Sequence, residues 1–246
     1  MELYLFDEMA QVARSHWWFA ARREILAALI ARLDLPRLAR IVEIGCGTGD
    51  NLAMLSRFGQ VRALEAEPYA LAIARQAGVE VLPGRLGEVL PLPEGIFDLV
   101  CLFDVLEHVA DDGRGLAAAA RLLRPSGRLV ATVPAYPWLF GPHDVAHHHF
   151  RRYSAGSLRR VAEAAGLKVE RLGYFNTLLF PLIAAGRLAD RLLGREVAHA
   201  PALPPEWLNR VLHAIFAAEA PLVARTFLPF GTSVIAVLKP DNGGWA

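Results

Sequence analysis

Ile41-Val42-Glu43-Ile44-Gly45-Cys46-Gly47-Thr48-Gly49-Asp50 is the stretch that decides the fold of this chain. Its first residues, rich in β-branched side chains, predict a short strand, and a helix is expected to begin at Asp50 or Asn51. The glycines between them let the backbone approach a ligand closely, because no Cβ stands in the way. Free N–H groups at the start of the helix complete a binding site at the tip of the strand.

The spacing of these glycines distinguishes two kinds of nucleotide site. Dinucleotide-binding turns use Gly-x-Gly-x-x-Gly and place a pyrophosphate on the helix N-terminus. Here the spacing is Gly45-x-Gly47-x-Gly49, and Glu43 lies within the strand. A carboxylate at that position repels a pyrophosphate and attracts a ligand that carries positive charge. The stretch therefore predicts a cationic ligand.

Composition bounds the class of protein. The chain has 246 residues, 54% of them hydrophobic, and a formal net charge of +1. Such a chain can build one domain with a large core. The small net charge gives no global field for nucleic acid, so no nucleic-acid partner is predicted. Cys46 and Cys101 suggest no disulfide framework, and residues 1–8 lack a basic, apolar leader pattern, so a cytoplasmic protein is expected.

From residue 40 onward the chain alternates strand and helix patterns, which predicts right-handed βαβ units in a doubly wound α/β sheet. Ligands of such sheets bind beyond the carboxyl ends of the strands. Strands are predicted at residues 41–44, 61–64, 79–82, 97–103, 128–133, 168–174 and 232–238. Helices are predicted at about residues 50–57, 68–78, 116–123 and 155–165.

The remaining segments are predicted to be helical parts of one domain that spans residues 1–246. Residues 1–37 are expected to form an amphipathic cap, with one helix or a broken pair of helices from about residue 8 to residue 33. The sheet core comprises residues 38–175 and 230–240. Residues 176–229, before the last strand, are too many for a hairpin loop and too apolar for a linker, so they are expected to form an apolar helical insertion.

Two motifs together resemble the class I S-adenosylmethionine-dependent methyltransferases. Glu43-x-Gly45-x-Gly47-x-Gly49 is similar to their first motif, and their ligand carries a cationic sulfonium and an ammonium. Residues 97–109, which include Asp104-Val-Leu-Glu107-His108, resemble the fourth strand of the family and the turn after it. With Leu123-Arg124-Pro125-Ser126-Gly127-Arg128-Leu129 before the fifth strand, the resemblance covers about residues 38–135.

The resemblance implies a Rossmann-like fold with a mostly parallel, seven-stranded sheet and an antiparallel last strand. It also implies methyl transfer from S-adenosylmethionine. Glu65 ends the second strand, where an acidic residue accepts the ribose hydroxyls of adenosyl and dinucleotide ligands. The cofactor-binding residues are then expected to be Glu43, Gly45, Cys46, Gly47, Gly49, Glu65, Ala66, Leu86 and Phe103.

Asp104-x-x-Glu107-His108 also has the chemistry of a metal site. Some ubiquinone-pathway O-methyltransferases and small-RNA 2′-O-methyltransferases carry Glu-x-x-Glu-His there as a metal site. Many metal-free relatives share the aspartate form found here, so no metal is predicted. Glu107 then favours a helix start and His108 packs against the protein, although His108 is also a candidate catalytic residue.

The loop after the fifth strand, residues 134–154, lies where this fold places its acceptor substrate. His143 and His149 are candidates to take a proton from an acceptor hydroxyl, whereas His147 and His148 are expected at the loop surface. Aromatic side chains offer stacking surface, and arginines can bind a phosphate or carboxylate. The candidate substrate-binding residues of the loop and the cap are Trp18, Tyr136, Trp138, Arg151 and Arg152.

The insertion is expected to be a lid over the substrate or a contact with a membrane surface. Its apolar run at residues 178–186 is far shorter than the roughly twenty residues that span a bilayer. With the aromatic loop and the arginines, it predicts a small-molecule or lipid-linked acceptor that has an apolar part and an anion. A greasy acceptor would place the protein at the inner face of the membrane. Oligomeric state is not indicated.

Three functions are compatible with these features. Methyl transfer is favoured by two motifs at the correct mutual spacing. A nicotinamide-dependent oxidoreductase would use a similar sheet, but the glycine spacing and Glu43 argue against it. The third is a non-catalytic partner- or membrane-binding module of the same fold, and the intact cofactor motifs argue against it.

Overall fold

The computed structural model describes residue 12 and residues 15–193, 203–226 and 228–241. The start of the predicted cap and residues 194–202 of the predicted insertion therefore lie outside the described residues. The strands are β1 (Ala39–Ile44), β2 (Gly59–Glu65), β3 (Glu80–Pro83), β4 (Phe97–Phe103), β5 (Leu123–Pro134), β6 (Leu167–Phe175) and β7 (Ser233–Pro240).

These strands form one seven-stranded sheet in the order β3-β2-β1-β4-β5-β7-β6. β7 runs antiparallel to β5 and β6, and the other neighbouring strands are parallel. The predicted sheet with an antiparallel last strand is therefore confirmed. The carboxyl ends of β1 to β6 and the start of β7 meet at one edge of the sheet, where ligands are expected.

The helices that flank the sheet differ in two places from the sequence prediction. The helix expected at residues 50–57 is a single turn, because the chain turns back into β2 at Gly59. The helix expected from residue 116 begins at Asp112, because the Asp111 carboxylate caps it and accepts a hydrogen bond from the Arg114 N–H. The helices are α1 (Trp17–Ile30), α2 (Leu52–Leu55), α3 (Pro68–Ala74), α4 (Asp112–Leu122), α5 (Pro142–Ala146), α6 (Ala155–Ala164), α7 (Phe180–Leu192), α8 (Glu206–Ala217) and α9 (Ala220–Val223).

Helices cover both faces of the sheet. β4 is buried along its whole length, as its continuous apolar run indicates for a strand covered on two sides. On one face, Leu116 of α4 and Leu158 of α6 belong to a core that includes Val100. On the other face, Ile25 of α1 and Phe216 of α8 share a second core with strand residues. The cap and the insertion thus form one helical layer.

The insertion is also tied to the cap by hydrogen bonds and leaves apolar side chains in solvent. Asn209 of α8 accepts a hydrogen bond from the Trp17 N–H and donates one to the Ser15 carbonyl, each at 2.8 Å. Leu182 and Trp207 are each 68% exposed. Among the residues described, no helix combines the length and the apolar content needed to cross a membrane.

The close approach of β1 and β2 generates a stability prediction. A Cβ built on Gly59 would lie 2.1 Å from the Ala39 carbonyl oxygen of the paired strand. Because backbone cannot yield as a side chain does, we expect Gly59→Ala to lower the free energy of unfolding by about 1–3 kcal/mol. Urea denaturation measures this change.

Gly186 in α7 provides the matched control. No atom of the described chain outside its own helix lies within 4 Å of a Cβ built there. Because alanine favours a helix over glycine, Gly186→Ala is expected to raise the free energy of unfolding by up to about 1 kcal/mol. Equal effects of the two substitutions would contradict the interpretation of Gly59.

Candidate active site

A cavity of about 1040 Å³ opens at the carboxyl edge of the strands. It extends from the glycine loop between β1 and α2 to the ends of β5 and β6. Trp18 of the cap, Leu139 and His149 of the loop after β5, and Ile183 of α7 contribute to its walls. The volume is at the upper end of the range for small-molecule sites, so a nucleoside and a second small molecule can fit together.

The glycine loop packs closely on one side and is open on the other. Gly45 has a φ of +71°, and a Cβ there would lie 2.8 Å from Val105 Cγ2. The Gly45 and Cys46 N–H groups donate to the Leu64 carbonyl at 2.7 and 3.1 Å. At Gly47, with a φ of +57°, a built Cβ has no described atom outside the adjoining residues within 4 Å. The loop therefore presents bare backbone to the cavity.

Glu65 holds this loop in place. Its Oε2 accepts a hydrogen bond from the Gly47 N–H at 2.7 Å, and Oε1 accepts from the Ala66 and Glu67 N–H groups at 2.8 Å. Burial raises the pKa of Glu65, and the backbone hydrogen bonds act in the opposite direction. A carboxylate has about four lone-pair sites, so one remains available. Ribose binding by Glu65 stays a prediction.

Glu43 lies behind the loop, and it is not among the residues that line the cavity. Its side chain is buried, and Oε1 accepts a hydrogen bond at 2.7 Å from Asn51 Nδ2, whose residue does line the cavity. Oε2 has no hydrogen-bond partner among the described residues. Burial raises the pKa of Glu43 to about 8, against the effect of the Asn51 hydrogen bond. A buried side chain with this raised pKa is protonated at neutral pH and lies outside the cavity, so the predicted contact of Glu43 with a cationic nucleoside stays a prediction.

Arg22 connects the cap to the ends of β4 and β5. Its Nη2 lies 2.6 Å from Asp104 Oδ2 and donates to Thr132 Oγ1 at 2.9 Å. The guanidinium lies over the rings of Trp18 and Phe103, 5.1 and 5.6 Å from their centroids. Both aromatic residues line the cavity. This network therefore fixes two of the predicted site residues on the cavity wall.

Glu107, His108 and His149 form a cluster in the cavity wall. One ligand atom from each lies within 4.8 Å of the others, so the three can hold a metal ion. Neither carboxylate oxygen of the fully buried Glu107 has a partner in the described part of the chain. Burial raises the pKa of Glu107 well above its usual value, as does the charge of Asp104. The absence of a metal stays a prediction.

His149 has a carboxylate partner in Asp144, which is fully buried. Asp144 Oδ1 lies 2.8 Å from His149 Nδ1 and accepts from Arg152 Nε at 2.8 Å, while Oδ2 accepts from the Gly141 N–H at 2.9 Å. Burial acts to raise the pKa of Asp144, but the His149 hydrogen bond and the Arg152 charge bring it well below its usual value. An ionised Asp144 places the proton on His149 Nδ1 and leaves Nε2 free to accept one.

Among the described residues, His108 and His143 form no hydrogen bond to a carboxylate. Burial lowers the pKa of both His108 and His143 to about 3, with the neighbouring histidines acting in the same direction. His147 was expected at the loop surface, but this is wrong. It is 7% exposed, lines the cavity and places its ring 4.2 Å from that of His143. His148 is exposed, as predicted, but it also lines the cavity.

Three predicted acceptor residues do not line the cavity. Tyr136 stacks between Trp138, at 5.7 Å between ring centroids, and Tyr174 of β6, at 5.2 Å. Arg151 pairs with Asp112 at 3.0 Å. Tyr136 and Trp138 therefore already contact aromatic rings of the protein itself. The contribution of all three residues to acceptor binding stays a prediction.

Arg152 does line the cavity, but its guanidinium is engaged with Asp144 and the Ala135 carbonyl. Sequence reasoning missed two residues, the buried Asp144 that contacts His149 from outside the cavity and Asn176, which lines the cavity. The motif His143-Asp144-x-x-x-x-His149 held a signal for the first, because an acid so close to two histidines can orient one of them. The position of Asn176 directly after β6 held a signal for the second.

Comparison with known proteins identifies the family. A family model described as a methyltransferase domain matches residues 18–172, which include the glycine loop, Glu65 and Glu107. The chain belongs to this methyltransferase family. The finding confirms the predicted class of enzyme and argues against a nicotinamide-dependent oxidoreductase.

Individual relatives of this chain also carry methyltransferase names. A "Probable S-adenosylmethionine-dependent methyltransferase" of Mycobacterium tuberculosis is 32% identical over 220 residues, covering 85% of this chain and 77% of the relative. A "Ubiquinone biosynthesis O-methyltransferase" of Xanthomonas oryzae is 36% identical over 163 residues, covering 59% and 67%. The structure of a TehB-like S-adenosylmethionine-dependent methyltransferase from Corynebacterium glutamicum has a TM-score of 0.58 at 21% identity, covering 96% and 97%, and supports the fold.

The raised pKa of Glu43 predicts a pH-dependent stability. Its pKa is about 8 in the folded chain and about 4.5 in the unfolded chain, so the stability that the protonated side chain contributes is fully present below about pH 4.5 and is lost as the pH rises from there through about 8. A glutamine at this position cannot ionise. We therefore expect Glu43→Gln to match the wild type at pH 4 and to exceed it by about 2 kcal/mol or more at pH 9. Urea denaturation at a series of pH values measures the free energy of unfolding of both proteins. A difference between them that does not change with pH would contradict this prediction.

Arg151 and Arg152 are adjacent and predict opposite outcomes of the same substitution. Arg152→Met leaves the fully buried Asp144 without its closest charged partner and is expected to lower the free energy of unfolding by about 3 kcal/mol. Arg151→Met removes a partly exposed ion pair and should change it by at most about 1 kcal/mol. Urea denaturation compares them, and a larger loss from Arg151→Met would refute this assignment of the two contacts.

Proposed function

We propose that this methyltransferase transfers a methyl group to an oxygen of a small-molecule or lipid-linked acceptor, with His149 as the general base. The observation that carries the proposal is the 2.8 Å contact between His149 Nδ1 and Asp144 Oδ1 in the cavity wall. A histidine oriented by a buried carboxylate is a recurrent device for proton removal.

The cofactor is S-adenosylmethionine, as the names of the relatives state for those proteins. When bound, it supplies a methyl group that is already activated on a sulfonium. Bare backbone at Gly47 and the remaining lone pair of Glu65 suit a nucleoside that donates hydrogen bonds from its ribose. The proposed cofactor-binding residues are Glu43, Gly45, Cys46, Gly47, Gly49, Glu65, Ala66, Leu86 and Phe103.

His149 removes the acceptor proton in this proposal. The hydroxyl proton moves to Nε2, while the Nδ1 proton stays in the hydrogen bond to Asp144. Arg152 and the Gly141 N–H hold the carboxylate on its other sides, so the imidazole keeps its orientation. Asp144 also stabilises the positive charge that His149 gains. Such a base typically contributes about 10²–10⁴-fold to a rate. His108 and His143 remain secondary candidates for this role.

The acceptor half of the cavity combines these polar groups with apolar walls. Trp18, Leu139 and Ile183 line it, and an aromatic cluster around Tyr136 and Trp138 lies farther out in the same loop. The name of the Xanthomonas relative supports an oxygen acceptor of the quinone-precursor class. We infer that an apolar tail of the acceptor extends toward the aromatic cluster, and that exposed apolar side chains of the insertion contact the cytoplasmic face of the membrane.

Replacement of His149 tests the proposed base. His149→Gln removes the proton acceptor and is expected to slow methyl transfer by about 100-fold or more, with S-adenosylhomocysteine affinity changed by less than about threefold. The measurement is the initial rate at which methyl-labelled S-adenosylmethionine labels the lipid and aqueous fractions of a cell extract, followed by mass spectrometry of the product.

His213→Gln is the matched control, because His213 contacts Glu24 at 3.1 Å and does not line the cavity. Its transfer rate should equal that of the wild type. Unaltered transfer by His149→Gln would remove the base from the mechanism, and a labelled nitrogen or carbon atom in the product would exclude an oxygen acceptor.

A further inference from the structure

Asn176, directly after β6, is a buried cavity residue whose side chain is unsatisfied. It lines the cavity and is only 1% exposed. Neither Oδ1 nor Nδ2 has a hydrogen-bond partner in the described ranges of the chain. Leaving both halves of an amide unpaired costs free energy, and folded proteins rarely retain such a group without a reason. A ligand that pairs with both atoms supplies that reason.

A second buried residue fixes the turn that carries Asn176. The φ of Asn176 is +57°, in the left-handed region that asparagine adopts more readily than most other non-glycine residues. Glu219, between α8 and α9, is fully buried, and its Oε1 accepts hydrogen bonds from the Thr177 and Leu178 N–H groups at 2.7 and 2.8 Å. The insertion therefore fixes the turn that carries Asn176, while the side-chain amide forms no hydrogen bond with the described residues.

The position of Asn176 in the sheet indicates which ligand it contacts. β6 is an edge strand, and β4, β5 and β7 separate it from β1. The glycine loop and Glu65, which suit the cofactor, lie at the ends of β1 and β2. Asn176 instead shares the acceptor half of the cavity with Arg187 of α7 and with Ser233 at the start of β7.

We propose that Asn176 recognises the methyl acceptor through a neutral polar group that is distinct from the methylated oxygen. Oδ1 accepts a hydrogen bond from this group and Nδ2 donates one to it, so the group is a hydroxyl or a carboxamide. A bare carboxylate or an ammonium would satisfy only one of the two atoms. Glu219 is a positioning residue for this contact. The inference rests on the proposed function, because it requires a methyl acceptor in this half of the cavity.

Asn176→Gly separates recognition from structure. Glycine adopts a left-handed φ without strain, and the substitution also removes the unsatisfied amide. The midpoint of thermal unfolding is therefore expected to stay unchanged or to rise. S-adenosylhomocysteine affinity, measured by calorimetry, should change by less than about twofold. The cell extract supplies the acceptor. At low extract concentration, label transfer from S-adenosylmethionine should fall about tenfold or more, and it should recover as the extract is concentrated, because acceptor binding is weakened.

Asn209→Ala is the matched control, since the Asn209 amide makes two hydrogen bonds and does not line the cavity. It should lower the unfolding midpoint and leave the dependence on extract concentration unchanged. A change in the unfolding midpoint alone indicates that an asparagine stabilises the fold, whereas a change in the dependence on extract concentration indicates that it binds the acceptor.

Two outcomes would overturn the inference while the proposed function stands. In the first, the wild type transfers label and Asn176→Gly matches it at every extract dilution. In the second, the labelled product carries neither a hydroxyl nor a carboxamide besides its methylated oxygen. A wild type that labels no component of either fraction would instead refute the proposed function, and the inference would fall with it.

Discussion

The hydrogen bonds that the backbone donates to the buried Glu65 carboxylate are the interaction on which the cofactor end of the site depends. One oxygen is bound by the Gly47 N–H and the other by the two residues after β2. This carboxylate joins the tips of two neighbouring strands, so the loop keeps its shape although glycine resists ordering. The same loop is open toward the cavity at Gly47, which is where a ligand can approach bare backbone.

Acids elsewhere in the site divide into two groups with different consequences. The half-buried Asp104 is paired with Arg22 of the cap, and the buried Asp144 is paired with Arg152 of the same loop. Glu43 and Glu107 each keep at least one buried carboxylate oxygen unpaired in the described residues, and burial raises the pKa of both. Paired acids build the cavity, whereas unpaired acids lower the stability of the free protein and favour a ligand that donates hydrogen bonds or carries positive charge.

The sheet and the glycine loop were predictable because both depend on local patterns. A run of buried residues such as β4 identifies its own strand, and alternate glycines identify a turn. The acceptor side was less predictable, because its contacts join segments far apart in sequence. Tyr136 has the composition of a ligand-stacking residue, but Tyr174 of β6 occupies its face. Arg151 was assigned to an anion of the acceptor, yet Asp112 of α4 takes that place.

The division of the cavity has a consequence for how acceptor choice can change. The residues that suit the cofactor lie at the ends of β1, β2 and β4, whereas Asn176 depends on Glu219 of the insertion. The insertion is in turn attached to the cap through Asn209. Substitutions of Glu219 can therefore shift the β6 turn and the acceptor wall without disturbing Glu65 or the glycine loop. A chain built in this way can alter its acceptor while its methyl-donor site stays constant, because the two halves are held by separate sets of buried hydrogen bonds.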